Sequence, residues 1–262
     1  MESLEHKLWI VQIVNQLLGP LVAGLLGALG FHVEGHEVIP NYMVMIGIIV
    51  VLITVFCVIV RSGLSVETPG KLQIVVEDLI GAVKGILTEY IGPTGPQYLP
   101  LIGTVGLFIF VSNMIGKIPG FMSPTASLNV TAGCAVTVWV YYHIQGVRAQ
   151  GLGKYLAHFA MPPGVPVAMA PLMLVIEVIS HLSRVLSLSL RLFGNVFGEE
   201  LVVLIMGSII PFLVPLPMMV LGVVTGTLQA FIFMLLSVIY LAGAVAAEHH
   251  DDEHGEAHAA AH

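Results

Sequence analysis

Five apolar runs, each long enough or nearly so to cross a lipid bilayer, leave this chain few ways to fold. About 20 apolar residues are needed to span about 30 Å of hydrocarbon. Such runs lie near Tyr42–Val60, Leu99–Ile118, Leu128–Ile144, Ala168–Met206 and Leu216–Ala247. With 57% of 262 residues hydrophobic and 10% charged, a single soluble core could not hide them. The expected fold is therefore all-α and polytopic: one membrane domain over 1–262 with about five transmembrane crossings. Residues 1–40 form an N-terminal membrane-associated segment, 42–247 the helical membrane core and 248–262 an acidic, His-rich tail.

One stretch departs from this pattern. Between Lys71 and Tyr90, Lys71, Gln73, Glu77, Asp78, Lys84 and Glu89 interrupt Leu72, Ile74, Val75, Leu79, Ile80, Val83 and Ile86. That alternation predicts an amphipathic helix lying on the membrane surface. Leu8 to Val33 is apolar enough for a signal sequence, but Met1-Glu2-Ser3-Leu4-Glu5-His6 lacks a basic leader, which favours a retained helix. Pro20 with Gly24, Gly27 and Gly30 makes it a poor independent span, so a close-packed or interfacial segment fits better.

The fourth run is too long to stand upright: about 38 residues at about 1.5 Å each extend about 57 Å, nearly twice the hydrocarbon thickness. It must tilt steeply, bend or break. Pro211, Pro215 and Pro217 supply the turn into the last helix, and the two form a long hairpin. If the first span runs outside to inside, Arg61, Lys71, Lys84, Arg148 and Lys154 are cytoplasmic while Lys7 and Lys117 stay outside. That asymmetry favours an external N-terminus and a cytoplasmic C-terminus.

The formal charge of −7 is no guide to partners, because Glu248, Asp251, Asp252, Glu253 and Glu256 crowd into the tail. No basic patch for nucleic acid exists. Cys57 and Cys134 fall inside apolar stretches and read as small hydrophobes rather than a disulfide. The tail histidines could bind a metal by composition, but a solvated charge run explains them more simply, and no metal site is expected. His250-Asp251-Asp252-Glu253-His254 matches a zinc-protease spacing that needs a packed helix, so it reads as a chance match in a biased tail. No phosphate-binding Gly loop or nucleophile elbow appears.

Arg191 is the residue such a membrane segment tolerates least. A guanidinium at membrane depth costs roughly 2.5–3.5 kcal/mol on insertion scales, so it needs a partner or a wet cavity. Near the middle of so long a segment it cannot snorkel to the interface, and no carboxylate lies one turn away. Around it, Glu177, His181, Arg184, Ser187 and Asn195 recur every three or four residues and define a polar stripe along one helical face. Ser187 and Asn195 serve equally well as interhelical glue. Glu199 and Glu200 lie about 80° and 180° from Arg191 around an ideal helix, so Glu200 faces away and suits a separate aqueous path. In the last helix, Gly222 and Gly226 form a small-xxx-small pair that packing alone explains, and the amide of Gln229 can reach a neighbouring helix.

Three runs carry a resemblance: Ser187-Leu188-Ser189-Leu190-Arg191-Leu192-Phe193-Gly194-Asn195, Leu228-Gln229-Ala230-Phe231-Ile232-Phe233 and the weaker Pro69-Gly70-Lys71-Leu72-Gln73. Together, and over nearly the whole chain after about residue 40, they resemble subunit a of the F-type ATP synthase. The resemblance implies a multi-pass subunit of a bacterial plasma (inner) membrane, with no cofactor and no catalysis as an isolated chain. Its implied partners are the rotor ring of c subunits, peripheral-stalk b subunits and the lipid bilayer. It also implies two offset half-channels separated by Arg191, which faces the rotor's ion-binding carboxylate, with Asn195 and Gln229 nearby. Glu177 and Glu200 match half-channel positions, and Arg184 a basic position towards the cytoplasm.

Several positions depart from the family pattern. Glu199 stands where a small residue often precedes the acid, leaving Glu177, Glu199 and Glu200 all open as carriers. Gly222 occupies a place where some members have a histidine, whose ionisable group Glu199 is expected to replace from the facing helix. Ser127 replaces a frequent acid, so the outer half-channel is expected to rely more on water and the adjacent glutamates. A competing class, a self-contained secondary transporter or channel with Arg191 binding an anionic substrate, predicts an inverted repeat, and no convincing one is found. A metal transporter predicts intramembrane ligand clusters, and only His181 lies in the stripe.

Overall fold

The computed structural model describes residues 9–28, 39–66, 69–118, 121–153, 155, 169–209 and 215–245. Among these, all regular structure is helical: α1 (Trp9–Ala28), α2 (Asn41–Ser62), α3 (Lys71–Ile91), α4 (Leu99–Ile115), α5 (Leu128–Gln150), α6 (Ala170–Ile209) and α7 (Pro215–Val245). Short 3-10 turns at Gly95–Tyr98 and Pro124–Ala126 lead into α4 and α5. The acidic tail, Lys7, Gly30, Lys154 and Pro211 lie outside the described residues.

Four helical segments are long and apolar enough to cross a membrane by length and composition: Asn41–Ser62, Gly95–Ile115, Ala170–Ile209 and Leu216–Val245. The expected fifth crossing falls on α5, whose 23 residues suffice for length. Its composition is more polar, because Thr131, Tyr142 and His143 turn towards other helices instead of lipid. α6 runs its 40 residues without a break, about 60 Å at about 1.5 Å per residue. Of the three expected ways to fit so long a helix, breaking is thus set aside.

α7 is the element around which the bundle is built. Its buried positions, Gly222, Gly226, Gln229, Ala230, Phe233, Ser237, Val238, Leu241 and Val245, recur at helical spacing and pack against α3, α4, α5 and α6. Phe233 and Val238 are fully enclosed, with Leu192 and Val196 from α6, Ile109 from α4, and Val138 and Tyr142 from α5. At Gly226 the backbones of α4 and α7 come close enough for Asn113 Nδ2 to donate to the Gly226 carbonyl at 2.9 Å. A Cβ at Gly226 would sit 3.2 Å from Asn113 Cβ and 3.3 Å from Met114 Cε. Gly226→Leu is therefore expected to cost about 1–3 kcal/mol by overpacking, measured as a fall in the amount of chain recovered in membranes.

α3 begins at the Pro-Gly-Lys run, and its bounds match those expected for the amphipathic helix. Its Gln73 is a clasp: the Ser65 N–H donates to Oε1 at 3.0 Å, and Nε2 donates to the Ser65 carbonyl at 3.1 Å and to Glu77 Oε1 at 2.7 Å. Gly92, at φ 95°, ends the helix in a conformation that side chains resist. Val83, Leu87 and Ile91 anchor α3 in the core, while Leu72, Val75 and Leu79 remain uncovered by this chain. Towards the N-terminus, α1 runs on through Pro20 and is tied to the start of α2 by Asn15, which exchanges two 3.0 Å hydrogen bonds with the backbone of Ile39.

Candidate functional site

The polar stripe on α6 divides between two environments. His181 is buried, whereas Ser187 and Arg191 are exposed on a side that no described element covers, with Glu177, Arg184 and Asn195 between these extremes. The division follows from helical geometry: 3.6 residues per turn carries a three-to-four spacing slowly around the axis, so a nominal single face straddles the edge of the packed surface. Among the described residues, Arg191 has one hydrogen-bond partner, Ser187 Oγ at 3.4 Å, and no carboxylate within ion-pairing reach. The guanidinium is thus directed away from its own bundle.

Towards the N-terminal end of α6, polar side chains from three segments meet. Tyr142 of α5 hydrogen-bonds His181 Nδ1 at 2.7 Å, and His181 Nε2 lies 3.1 Å from Glu177 Oε1. The His143 ring packs edge-on against His181, with centroids 4.9 Å apart, and its Nδ1 lies 3.2 Å from the Tyr155 hydroxyl. Tyr155 sits just beyond α5, where burial raises its phenol pKa and keeps the hydroxyl protonated. Arg184 lies over the Tyr240 ring at 5.3 Å, a cation–π contact that holds the second arginine at this end.

A second cluster lies about 27 Å away along α6, taking His181 to Glu199 as 18 residues at about 1.5 Å each. Here Lys117, just past α4, forms an ion pair with Glu199, and both side chains are only 12% exposed. The Glu199 carboxylate rests against Gly222 so closely that a Cβ there would overlap it. Its neighbour Glu200 accepts the Ser123 backbone N–H at 3.3 Å. Ser123 and Thr125 share a 2.7 Å hydrogen bond, Thr125 Oγ1 donates to Asn113 Oδ1 at 2.7 Å, and Asn113 reaches the Gly226 carbonyl. A connected run of hydroxyl, amide and carboxylate groups therefore extends from Glu200 into the α4–α7 interface.

The two adjacent glutamates, alike in sequence, thus have different partners. Gln229 is buried, and among the described residues its Nε2 has no hydrogen-bond partner, as is also true of Ser112 Oγ. Lys117, Asn113, Ser123, Thr125, Tyr142, His143 and Tyr155 were not expected as site residues. Lys117 and Asn113 did carry a signal, polar side chains closing an apolar run, but the serine, threonine and tyrosines are unremarkable along the chain. Among the described residues no group of three His, Cys, Asp or Glu side chains is arranged to hold a metal ion.

Residues 42–242 match the family described as ATP synthase A chain. The chain is similar to ATP synthase subunit a of Geotalea daltonii, 45% identical over 244 residues that cover 93% of this chain and 99% of the relative. It is also 43% identical to the subunit a of Geobacter sulfurreducens over the same shares of each chain. A protein from Pelobacter propionicus, ATP synthase subunit a 1, is 42% identical, again over 93% of this chain and 99% of its own length. Spanning all seven helices but α1 and the last turn of α7, the family match leaves no doubt of kinship, and the chain belongs to the ATP synthase A chain family.

Proposed function

We propose that the chain is the ion-translocating stator subunit of a rotary ATP synthase, passing protons between two offset half-channels and the carboxylates of a rotor ring of c subunits. As a component of the ATP synthase complex it is not an enzyme on its own. The observation that carries the reading is the layout of α6: one polar cluster at Glu177–His181, another at Glu199–Glu200, and Arg191 between them on an uncovered side. Neither cluster alone bridges the membrane, which is what a gradient-coupled device without a leak requires. A proton entering by one path leaves by the other only after the rotor has carried it past Arg191.

Electrostatics gives Arg191 two tasks. Its fixed positive charge stabilises the charged form of a rotor carboxylate arriving opposite it and so promotes proton release, and it repels a proton hopping directly between the paths. Each proton that crosses supplies about 2.3 kcal/mol per 100 mV, so the work comes from the gradient and not from bond chemistry in this chain. In the orientation favoured by the loop charges, the Glu177 cluster opens to the cytoplasm and the Glu199–Glu200 cluster to the opposite side. Uncovered apolar side chains on α2 and α3 are consistent with contact to lipid and to peripheral-stalk b subunits.

The two-path reading is tested by thiol accessibility in sealed vesicles of both orientations. With Cys57 and Cys134 replaced by serine, Glu177→Cys is expected to react with a membrane-impermeant thiol reagent from the cytoplasmic side. Ser123→Cys is expected to react from the opposite side. Labelling of both from one side, with the vesicles shown to be sealed, would exclude two half-channels of opposite access.

A further inference from the structure

We infer that Lys117 is a positioning residue for proton transfer: it holds Glu199 against Gly222 and so reserves Glu200, on the next residue, for ion exchange. The inference rests on the proposal that Glu200 lines a half-channel, and it concerns a residue to which that proposal assigns no part. Two carboxylates on successive residues, each largely withdrawn from water, repel one another unless a cation is supplied. Neither α4 nor α7 contains an Asp, Glu, Lys, Arg or His, so among the elements packed here the ammonium of Lys117 is the cation within reach.

Geometry then divides the labour. Glu199 is held by Lys117 and lies against the α7 backbone at Gly222, its Oε1 being the oxygen nearest to both. Glu200 accepts a single backbone N–H at 3.3 Å, the long end of the hydrogen-bond range, and faces the Ser123–Thr125–Asn113 run. The tethered acid is a fixed partner for a cation, whereas the loosely held one has a polar exit. Lys117 also stands just past the end of α4, in the same connection to α5 as Ser123.

A double-mutant cycle tests this in the assembled synthase, reading ATP-driven acidification of inverted vesicles normalised to the complex present. Removing one partner of a buried pair leaves the other unpaired, which is worse than removing both. Lys117→Gln alone is therefore expected to slow pumping about tenfold, and Lys117→Gln with Glu199→Gln to recover to within about threefold of wild type. The pH profile of pumping separates positioning from scaffolding: it is displaced in Lys117→Gln, where a second, unpaired carboxylate stands beside Glu200, and returns in the double variant.

If Lys117→Gln pumps normally, if its profile is unchanged, or if the double variant is as slow as the product of the singles, the assignment is overturned. Should Lys117→Gln fail to assemble, an assembled and pumping double variant supports the pair, and failure of both overturns it. Glu200→Gln with pumping intact would instead remove the half-channel reading on which the inference stands, whatever Lys117 does.

Discussion

Replacing Arg191 by alanine is expected to reduce ATP-driven acidification of inverted vesicles at least about 100-fold, the scale on which loss of one fixed electrostatic group acts in a functional site. The synthase is expected to assemble, because Arg191 is exposed and its one partner among the described residues is the exposed Ser187. Among the described residues no buried carboxylate is left uncompensated by its removal, which distinguishes Arg191 from Lys117. On the proposed mechanism the same variant should add a passive proton leak, since the like charge assigned to keeping the two paths apart is gone. Arg191→Lys keeps the charge but replaces a planar fork by a point charge on a flexible stem, so it should block the leak better than it restores pumping. Normal coupled pumping in Arg191→Ala, at wild-type levels of assembled complex, would remove Arg191 from the centre of the mechanism. Lost pumping without a leak would leave its stator role and remove only its barrier role.

The features that local pattern controls were legible before any coordinates. Arg191 stood out because a charge in an apolar run has no local explanation, and α3 because its charges recur among apolar residues in one short stretch. The length of α6 follows from its apolar content and the fixed rise of a helix. What could not be read was pairing across the bundle. Lys117 and Glu199 are 82 residues apart, Ser123 and Glu200 are 77 apart, and Tyr142 and His181 are 39 apart. No periodicity encodes which polar residue of one helix meets which of another, because that depends on how the helices cross. The stripe from Glu177 to Asn195 shows the same limit: its spacing fixed a common sector of α6, but only the position of α5 and α7 decided that His181 would be buried and Arg191 left open. Gly222 is the exception: the resemblance already set Glu199 on the helix facing it, and its missing side chain is the space that Glu199 fills.

Glutamine at position 200 is expected to slow pumping about 100-fold or more, whereas glutamine at position 199 should slow it less than about tenfold, general acid–base groups contributing about 10²–10⁴. The substitution is nearly isosteric, and its side-chain carbonyl can still accept the Ser123 N–H, so the loop between α4 and α5 keeps its anchor. The ability to release and recapture a proton is what is lost. At position 199 the amide still fills the space beside Gly222 and still accepts from Lys117, so the packing survives with a weaker contact. Glu200→Asp retains the proton chemistry but draws the carboxylate back by one methylene, away from a hydrogen bond that is already long, and should fall between the two. Passive proton conduction through membranes stripped of the ATP-hydrolysing head checks the same ranking without turnover: it should be blocked in Glu200→Gln and persist in Glu199→Gln. If Glu199→Gln is instead the variant that blocks conduction, the proton route runs through the Lys117 pair, and the roles assigned to the two glutamates must be exchanged.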